Sequence, residues 1–223
     1  MPCTGRRFSR ELVACALLFI VSAIDARAQV RAGVAVGGSK QTAGASDLPY
    51  LGPPFGGTSI AMLAMVDVPL GSRASVGGEA SLAGTISGAQ IERVPGGGNT
   101  VVSDHHDDVF SGVLKLGTPP GDRVRAAAVI GGGIAHRDTE RNGTFGSSFP
   151  PIVSTPVHEA LSDWVLALTG GVDLAVGLNN HVAVLAAGRL HQLKDDDRLP
   201  DGVVHRGVSS TIFRFGVGAQ VRF

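Results

Sequence analysis

The stretch with the most potential metal ligands is Asp104-His105-His106-Asp107-Asp108, which places two imidazoles among three carboxylates. Imidazole nitrogens and carboxylate oxygens are both common ligands of transition metals. In an extended chain, however, neighbouring side chains point in opposite directions, and no second ligand cluster completes a coordination geometry. We interpret this stretch as a solvated loop end, and we expect neither a metal nor another cofactor.

A second charged stretch, Lys194-Asp195-Asp196-Asp197-Arg198, places three carboxylates between two cations. A calcium loop of the helix-loop-helix type would also need a glycine in the middle and a distant glutamate, and neither is present. We therefore predict an exposed charged loop.

Alternation of apolar and polar residues recurs in eight segments after position 29, and this period of two indicates β-strands. The clearest segment is DWVLALTGGVDLAVG, whose apolar face we expect to point outward. That face consists of Trp164, Leu166, Leu168, Val172 and Leu174. The other segments are QVRAGVAVGG, IAMLAMVDVPL, ASVGGEASLAGTI, VFSGVLKLG, VRAAAVIGGGI, HVAVLAAGRLH and TIFRFGVGAQVRF.

The connections between these segments alternate in length. Residues 69–73, 117–123 and 177–181 form short turns, whereas the long polar connections are 38–59, 87–107, 135–160 and 192–209. Short turns at one end and long loops at the other are typical of outer-membrane barrels, and a soluble sandwich has no reason to keep this rule. The sequence thus predicts an all-β fold, an eight-stranded antiparallel up-and-down transmembrane β-barrel.

The polar faces of the segments carry ten charged residues that we expect to point into the lumen. They are Arg31, Asp67, Glu79, Lys115, Arg125, Asp163, Asp173, Arg189, Arg214 and Arg222. Eight strands leave an interior just wide enough for side chains, and charges in such a space are tolerated only when they are paired. We expect a lumen plugged by ion pairs, and the alternative is an ion-selective pore lined by arginine.

The amino terminus predicts a secretory signal peptide over residues 1–28, cleaved before Gln29. Three arginines precede an apolar run of about 13 residues, and Ala26-Arg27-Ala28 follows as a cleavage pattern. The run is too short for a spanning helix, which needs roughly 20 residues. Residues 29–223 are expected to form the barrel domain. This part carries 15 basic and 17 acidic residues, a balance that gives no indication of nucleic-acid binding.

In these features the chain resembles the small eight-stranded outer-membrane barrels of the OmpA, OmpX and opacity-protein type, over nearly all of residues 29–223. The resemblance rests on the strand count, the loop asymmetry and the terminal Phe223, with Val221, Ala219, Val217 and Phe215 at alternate positions before it. It implies a bacterial outer-membrane location, with lipid and lipopolysaccharide as neighbours. It also implies that Phe223, Val221 and Phe215 belong to the signal read by the outer-membrane assembly machinery.

Two kinds of function follow from this resemblance. We expect a monomer with a structural or surface-interaction role, whose long extracellular loops hold any extracellular ligand, and the alternative is a narrow pore or transport accessory. A barrel enzyme acting on lipid A would need a serine and a histidine within hydrogen-bond reach on the lipid-facing side. Because we place no histidine on the outward faces of the predicted strands, we expect no enzymatic activity.

Overall fold

The computed structural model describes residues 30–43, 57–94, 97–119, 123–147, 154–194 and 210–223. The predicted signal peptide and most of the connections 38–59 and 192–209 lie outside the described residues. The strands are β1 (Arg31–Ala43), β2 (Gly57–Pro69), β3 (Ala74–Ala83), β4 (Ile86–Val94), β5 (Gly97–Gly117), β6 (Val124–Ser147), β7 (Ser154–Gly177), β8 (Val182–Lys194) and β9 (Ser210–Arg222). Among these residues no helix has the length and apolar character needed to span a membrane.

The strands form one antiparallel sheet in the order β3-β2-β1-β9-β8-β7-β6-β5-β4, and pairing of β3 with β5 closes it into a barrel. Strands β3 and β4 are two halves of one strand, interrupted at Gly84 and Thr85, and both pair with β5. When β3 and β4 are counted as one, the barrel has eight strands, which confirms the predicted fold. In the closed barrel the backbone of each strand pairs with a neighbour on both sides, so the barrel has no free edge there.

Side-chain burial alternates along the strands, so the barrel has an apolar outer surface. Outward residues such as Ile130, Leu168 and Val172 are each more than 60% exposed. Inward residues such as Leu185 and Ile212 are almost completely buried. A contiguous apolar exterior of this kind is unfavourable in water but matches the hydrocarbon band around a membrane barrel.

Inward-facing glycines allow the sheet to curl tightly. A Cβ atom on Gly218 would lie 1.8 Å from the carbonyl oxygen of Val34, and one on Gly133 would lie 1.9 Å from that of Phe110. No side chain fits at such a distance from the neighbouring backbone. These glycines in strand interiors mark a close backbone approach on the concave side of a narrow cylinder.

Three strands are much longer than the sequence predicts. β5 has 21 residues and β6 and β7 have 24 each, whereas β1, β8 and β9 have 13. The predicted loops 87–107 and 135–160 are therefore largely strand. The extra length forms a four-stranded extension, here called the projecting sheet, made of 86–94, 97–108, 136–147 and 154–165. The alternation of apolar and polar residues does not predict this sheet, because both faces of its strands carry mostly polar residues.

The outward position of Leu168 leads to a stability prediction. Leu168→Arg should destabilise the folded barrel by roughly 2–4 kcal/mol, because a charge in the middle of the lipid-facing band must be desolvated. Leu178→Arg is the matched control, since Leu178 is 65% exposed against 68% for Leu168 but lies in a short turn. Urea unfolding in lipid vesicles measures both, and equal losses of stability would contradict the assigned band.

Candidate functional site

The centre of the lumen holds an ion cluster built around Lys115. Its Nζ atom lies 3.0 Å from Asp67 Oδ1, 2.9 Å from Glu79 Oε1 and 3.0 Å from Asp173 Oδ2. These residues come from β2, β3, β5 and β7, at the inward positions of each strand. One ammonium group thus connects three carboxylates across the barrel.

Arg189 on β8 is the second cation of this cluster. Its Nε donates to Glu79 Oε2 at 2.7 Å and its Nη2 to Glu79 Oε1 at 2.5 Å, which is the bidentate geometry that makes arginine-carboxylate pairs strong. Its Nη1 lies 2.7 Å from Asp173 Oδ1 and donates to the carbonyl oxygens of Val172 and Gly188. The cluster is therefore paired almost completely within the protein.

A neutral polar chain lies beside the ion cluster. Ser111 Oγ is hydrogen-bonded to Thr169 Oγ1 at 2.7 Å, and Thr169 Oγ1 to His191 Nδ1 at 3.0 Å. His191 is 1% exposed and points into the lumen. Ser111, Thr169 and His191 are all buried, so a substrate cannot reach them. These hydrogen-bonded side chains therefore fill the lumen and are not a candidate catalytic pair.

A second ion cluster lies at the base of the projecting sheet around Asp107. Its carboxylate lies 2.7 Å from His105 Nε2 and 3.1 Å from Arg137 Nε. Arg214 Nη2 donates to the carbonyl oxygen of Asp107 at 2.6 Å, and Arg214 Nη1 donates to Ser81 Oγ at 2.8 Å. Asp107 is 3% exposed, so interpreting this stretch as a solvated loop end was wrong at this residue.

The buried position of Asp107 has a simple cause. β5 continues through the Asp-His stretch, so His105 and Asp107 point inward while His106 and Asp108 point outward. Sequence reasoning missed His105, Asp107 and Arg137 as lumen residues because no apolar alternation marks this part of the strand. Within the described ranges, no group of three or more His, Cys, Asp or Glu side chains is arranged to hold a metal ion.

Most of the other predicted lumen charges lie inside the barrel. The structure places Asp67, Glu79, Lys115, Asp173 and Arg189 in the central cluster, Arg214 in the cluster above it, and Arg31, Arg125 and Arg222 at the mouth bounded by the short turns. Asp163 is the exception, because it is exposed and its Oδ1 accepts a hydrogen bond from the backbone N of Trp164. It is on the inward side of β7 but above the closed part of the barrel.

The predicted lipid-facing residues and the carboxyl-terminal residues lie on the outer surface. Trp164, Leu166, Leu168, Val172 and Leu174 are between 44% and 68% exposed. Phe223 is 73% exposed at the short-turn end, where its backbone N donates to the carbonyl oxygen of Val30. Val221 and Phe215 point outward on the same strand.

A polar group on the outer rim was not expected from the sequence. His136 lies on the outward face of β6, in the segment 135–160 for which the sequence predicts a long connection. Its Nε2 is hydrogen-bonded to Ser162 Oγ at 3.0 Å, and its Nδ1 lies 3.5 Å from Asp138 Oδ2. The imidazole packs on Trp164 with ring centroids 4.7 Å apart. A serine, a histidine and an aspartate are thus aligned just above the aromatic pair Phe110 and Trp164.

A second outward histidine lies on the neighbouring strand. His106 is paired with Asp138 in the register of β5 and β6, and its Nε2 lies 3.1 Å from Asp108 Oδ2. The hydrogen bond to the Asp108 carboxylate raises the pKa of the His106 imidazole above its usual value. This imidazole lies beside Asp138 of the His136 group.

The central cluster leads to a stability prediction. Lys115→Met should destabilise the barrel by roughly 3–5 kcal/mol, because it leaves three buried carboxylates with one remaining cation. Lys40→Met is the control, since Lys40 is exposed on the outer surface of β1 and its loss should change stability by no more than about 0.5 kcal/mol. Urea unfolding measures both, and equal effects would mean that the cluster does not hold the barrel closed.

Comparison with known proteins gives likenesses of structure. No protein-family model and no curated protein matches the sequence. The outer membrane protease OmpT of Escherichia coli is similar over 87% of this chain and 97% of its own, with 11% identity and a TM-score of 0.51. Ail, the attachment invasion locus protein of Yersinia pestis, is similar over 86% and 98%, with 14% identity and a TM-score of 0.43. At these identities the likeness is one of fold, and the chain has the fold of the bacterial outer-membrane β-barrels.

Proposed function

We propose that this protein is a monomeric, non-conducting β-barrel of the outer membrane, with a structural or surface-interaction role. The observation that carries the proposal is the continuous set of side-chain bonds across the lumen. Lys115 connects three strands at the centre, Ser111 and Thr169 add a hydrogen bond between β5 and β7, and Arg214 connects β9 to β3 and β5 above them. An ion passing through would have to separate charges that are paired away from water, which is costly.

A role at the surface is supported by the projecting sheet. Among the described residues, β7 pairs with β8 only from Leu166 onward, so its segment 154–165 extends beyond this pairing as part of the projecting sheet. Its outer face carries polar side chains, including His158 and Glu140, which are more than half exposed and lie 3.9 Å apart. Such a polar sheet can contact lipopolysaccharide headgroups or an extracellular ligand, together with the connections at its tip.

Conductance tests this function directly. The refolded protein in planar bilayers should show no discrete current steps, because paired side chains cross a lumen that is only wide enough for side chains. A wide porin inserted under the same conditions serves as the positive control. Reproducible unitary steps that grow with salt concentration would contradict the proposal and favour the narrow-pore alternative.

Phe223 is included in the proposal as the assembly signal, with Val221 and Phe215 on the same face. Phe223→Ser should lower the amount of barrel inserted in cells far more than it lowers the stability of folded protein in detergent, since the ring contributes at most about 1.5–3 kcal/mol by burial. Val217→Ser, at an outward position of the same strand, is the control and should leave insertion close to that of the wild type. Equal membrane levels of the wild type and Phe223→Ser would assign the ring a lipid-facing role alone.

A second candidate function is ester hydrolysis at the outer rim, favoured by the Ser162, His136 and Asp138 geometry. Ser162 Oγ would attack the ester carbonyl carbon while His136 Nε2 takes the hydroxyl proton and then gives it to the departing alkoxide. Water would cleave the acyl-serine by the same route, with Asp138 orienting the imidazole. The position beside Trp164 and Phe110 is suited to an acyl ester of a lipid in the outer leaflet.

A fluorophosphonate probe tests this second candidate. Peptide mass spectrometry should find the adduct on Ser162, and His136→Gln should abolish it because the general base is lost. Ser72, which is exposed in a short turn, is the internal control and should remain unlabelled. An unlabelled Ser162, or equal labelling of Ser162 and Ser72, would remove hydrolysis from consideration.

A further inference from the structure

The lumen carries more positive than negative charge. Its cations are Arg31, Lys115, Arg125, Arg137, Arg189, Arg214 and Arg222, and its carboxylates are Asp67, Glu79, Asp107 and Asp173. Lys115 and Arg189 are paired with three of the carboxylates, and Arg137 is paired with the fourth. Arg214 instead donates to Ser81 and to a backbone carbonyl oxygen. Within the described ranges, the surplus positive charge is therefore that of Arg31, Arg125 and Arg222, which have no ion-pair partner there.

These three arginines meet at the short-turn mouth. Arg31 and Arg222 are direct partners in the register of β1 and β9, and Arg125 comes from β6 on another side of the barrel. The positive charges of Arg125 and Arg222 both repel the positive charge of Arg31. Among the described residues, no carboxylate lies within ion-pair distance of any of the three. Like charges grouped in this way are unfavourable unless an anion or water compensates them.

The hydrogen-bonding groups of the mouth are only partly used. Arg125 Nη2 donates to Gln220 Oε1 at 2.9 Å, which fixes this guanidinium at the wall. Arg31 Nε is buried and has no hydrogen-bond partner in the structure. Asp67, the carboxylate acting most strongly on Arg31, is already held by Lys115. A buried donor of a charged group without an acceptor is a costly arrangement, and an added acceptor would stabilise it.

A cavity lies at this group. Its volume is about 50 Å³, and its wall includes Arg31, Arg73, Arg125 and Gln220 toward the mouth, with Lys115 and Asp67 at its inner end. A cavity of this volume exceeds what one water molecule needs. The arginine side chains supply planar sets of N–H donors, which match the oxygens of a phosphate group.

We propose that the short-turn mouth is a binding site for a phosphate group, held by Arg31 and Arg125 with Arg222 adding charge. The phosphate comes either from the free ion or from the headgroup of a membrane lipid whose leaflet surrounds this end of the barrel. The bound oxyanion accepts a hydrogen bond from Arg31 Nε and neutralises the mutual repulsion of the three guanidinium groups. The site does not depend on whether the lumen conducts ions.

Nitrogen-15 NMR of the refolded protein tests the site. Inorganic phosphate should shift the Nε–H resonance of Arg31 in a saturable way, while sodium chloride of equal ionic strength should not. A second titration with micelles that contain phosphatidylglycerol distinguishes the two sources. Saturation by the free ion alone, or by the lipid alone, supports the site and identifies its source.

Variants make the test specific. Arg125→Gln should weaken phosphate binding roughly tenfold or more, since a hydrogen bond to a charged group is lost. Arg123→Gln is the matched control, because Arg123 is exposed at the same end but does not line the cavity. Arg125→Gln should also raise thermal stability in phosphate-free buffer by relieving repulsion, which shows that it has folded. No saturable shift with either probe, an equal shift with sodium chloride, or equal weakening in both variants would overturn the proposal.

Discussion

The rest of the structure depends on the ion cluster in which Lys115 and Arg189 join Asp67, Glu79 and Asp173. An eight-stranded barrel has an interior only wide enough for side chains, so whatever points inward must find its partners there. Five strands each contribute one charged group: Lys115 lies within about 3 Å of all three carboxylates, and Arg189 lies within 3 Å of Glu79 and Asp173. The cluster therefore specifies which strands lie opposite each other, in addition to closing the lumen.

The same cluster fixes the register. Because side chains alternate with a period of two, a slip of one residue in β3 would turn Glu79 to the outer surface and Ala80 to the lumen. Such a slip exposes a carboxylate to the apolar band and leaves Arg189 buried without its bidentate partner. The apolar exterior and the charged interior thus favour one register by the same mechanism, and the inward glycines allow the sheet to close around it.

The alternation of apolar and polar residues predicted the strands of the barrel and which of their side chains point inward or outward. Positions such as Leu168 and Glu79 could be assigned to a face because apolar and polar residues alternate strictly where the barrel has an apolar outside. Beyond that band both faces are polar, and so the projecting sheet, Asp107 and the outward His136 could not be found in this way. Partners could not be predicted either, since Glu79 and Arg189 are 110 residues apart and only closure of the barrel brings them together.

The arrangement gives the two ends of the barrel different chemistry. Toward the projecting sheet, Asp107 compensates Arg137, and the histidines and acids of the outer rim lie in pairs. Toward the short turns, Arg31, Arg125 and Arg222 have no ion pair with a carboxylate in the part of the chain that the structure describes. The central cluster lies between these two ends.

A double-mutant cycle on Glu79 and Arg189 tests most directly whether the ion cluster holds the barrel closed. Glu79→Gln, Arg189→Met and the double variant are unfolded with urea in lipid vesicles, and the free energies of unfolding are compared. A closing ion pair predicts that the double variant is more stable than the sum of the single losses implies, with a coupling of about 2 kcal/mol or more. Losses that add to within about 0.5 kcal/mol would show that the two side chains do not depend on each other, and would contradict the ionic closure of the lumen.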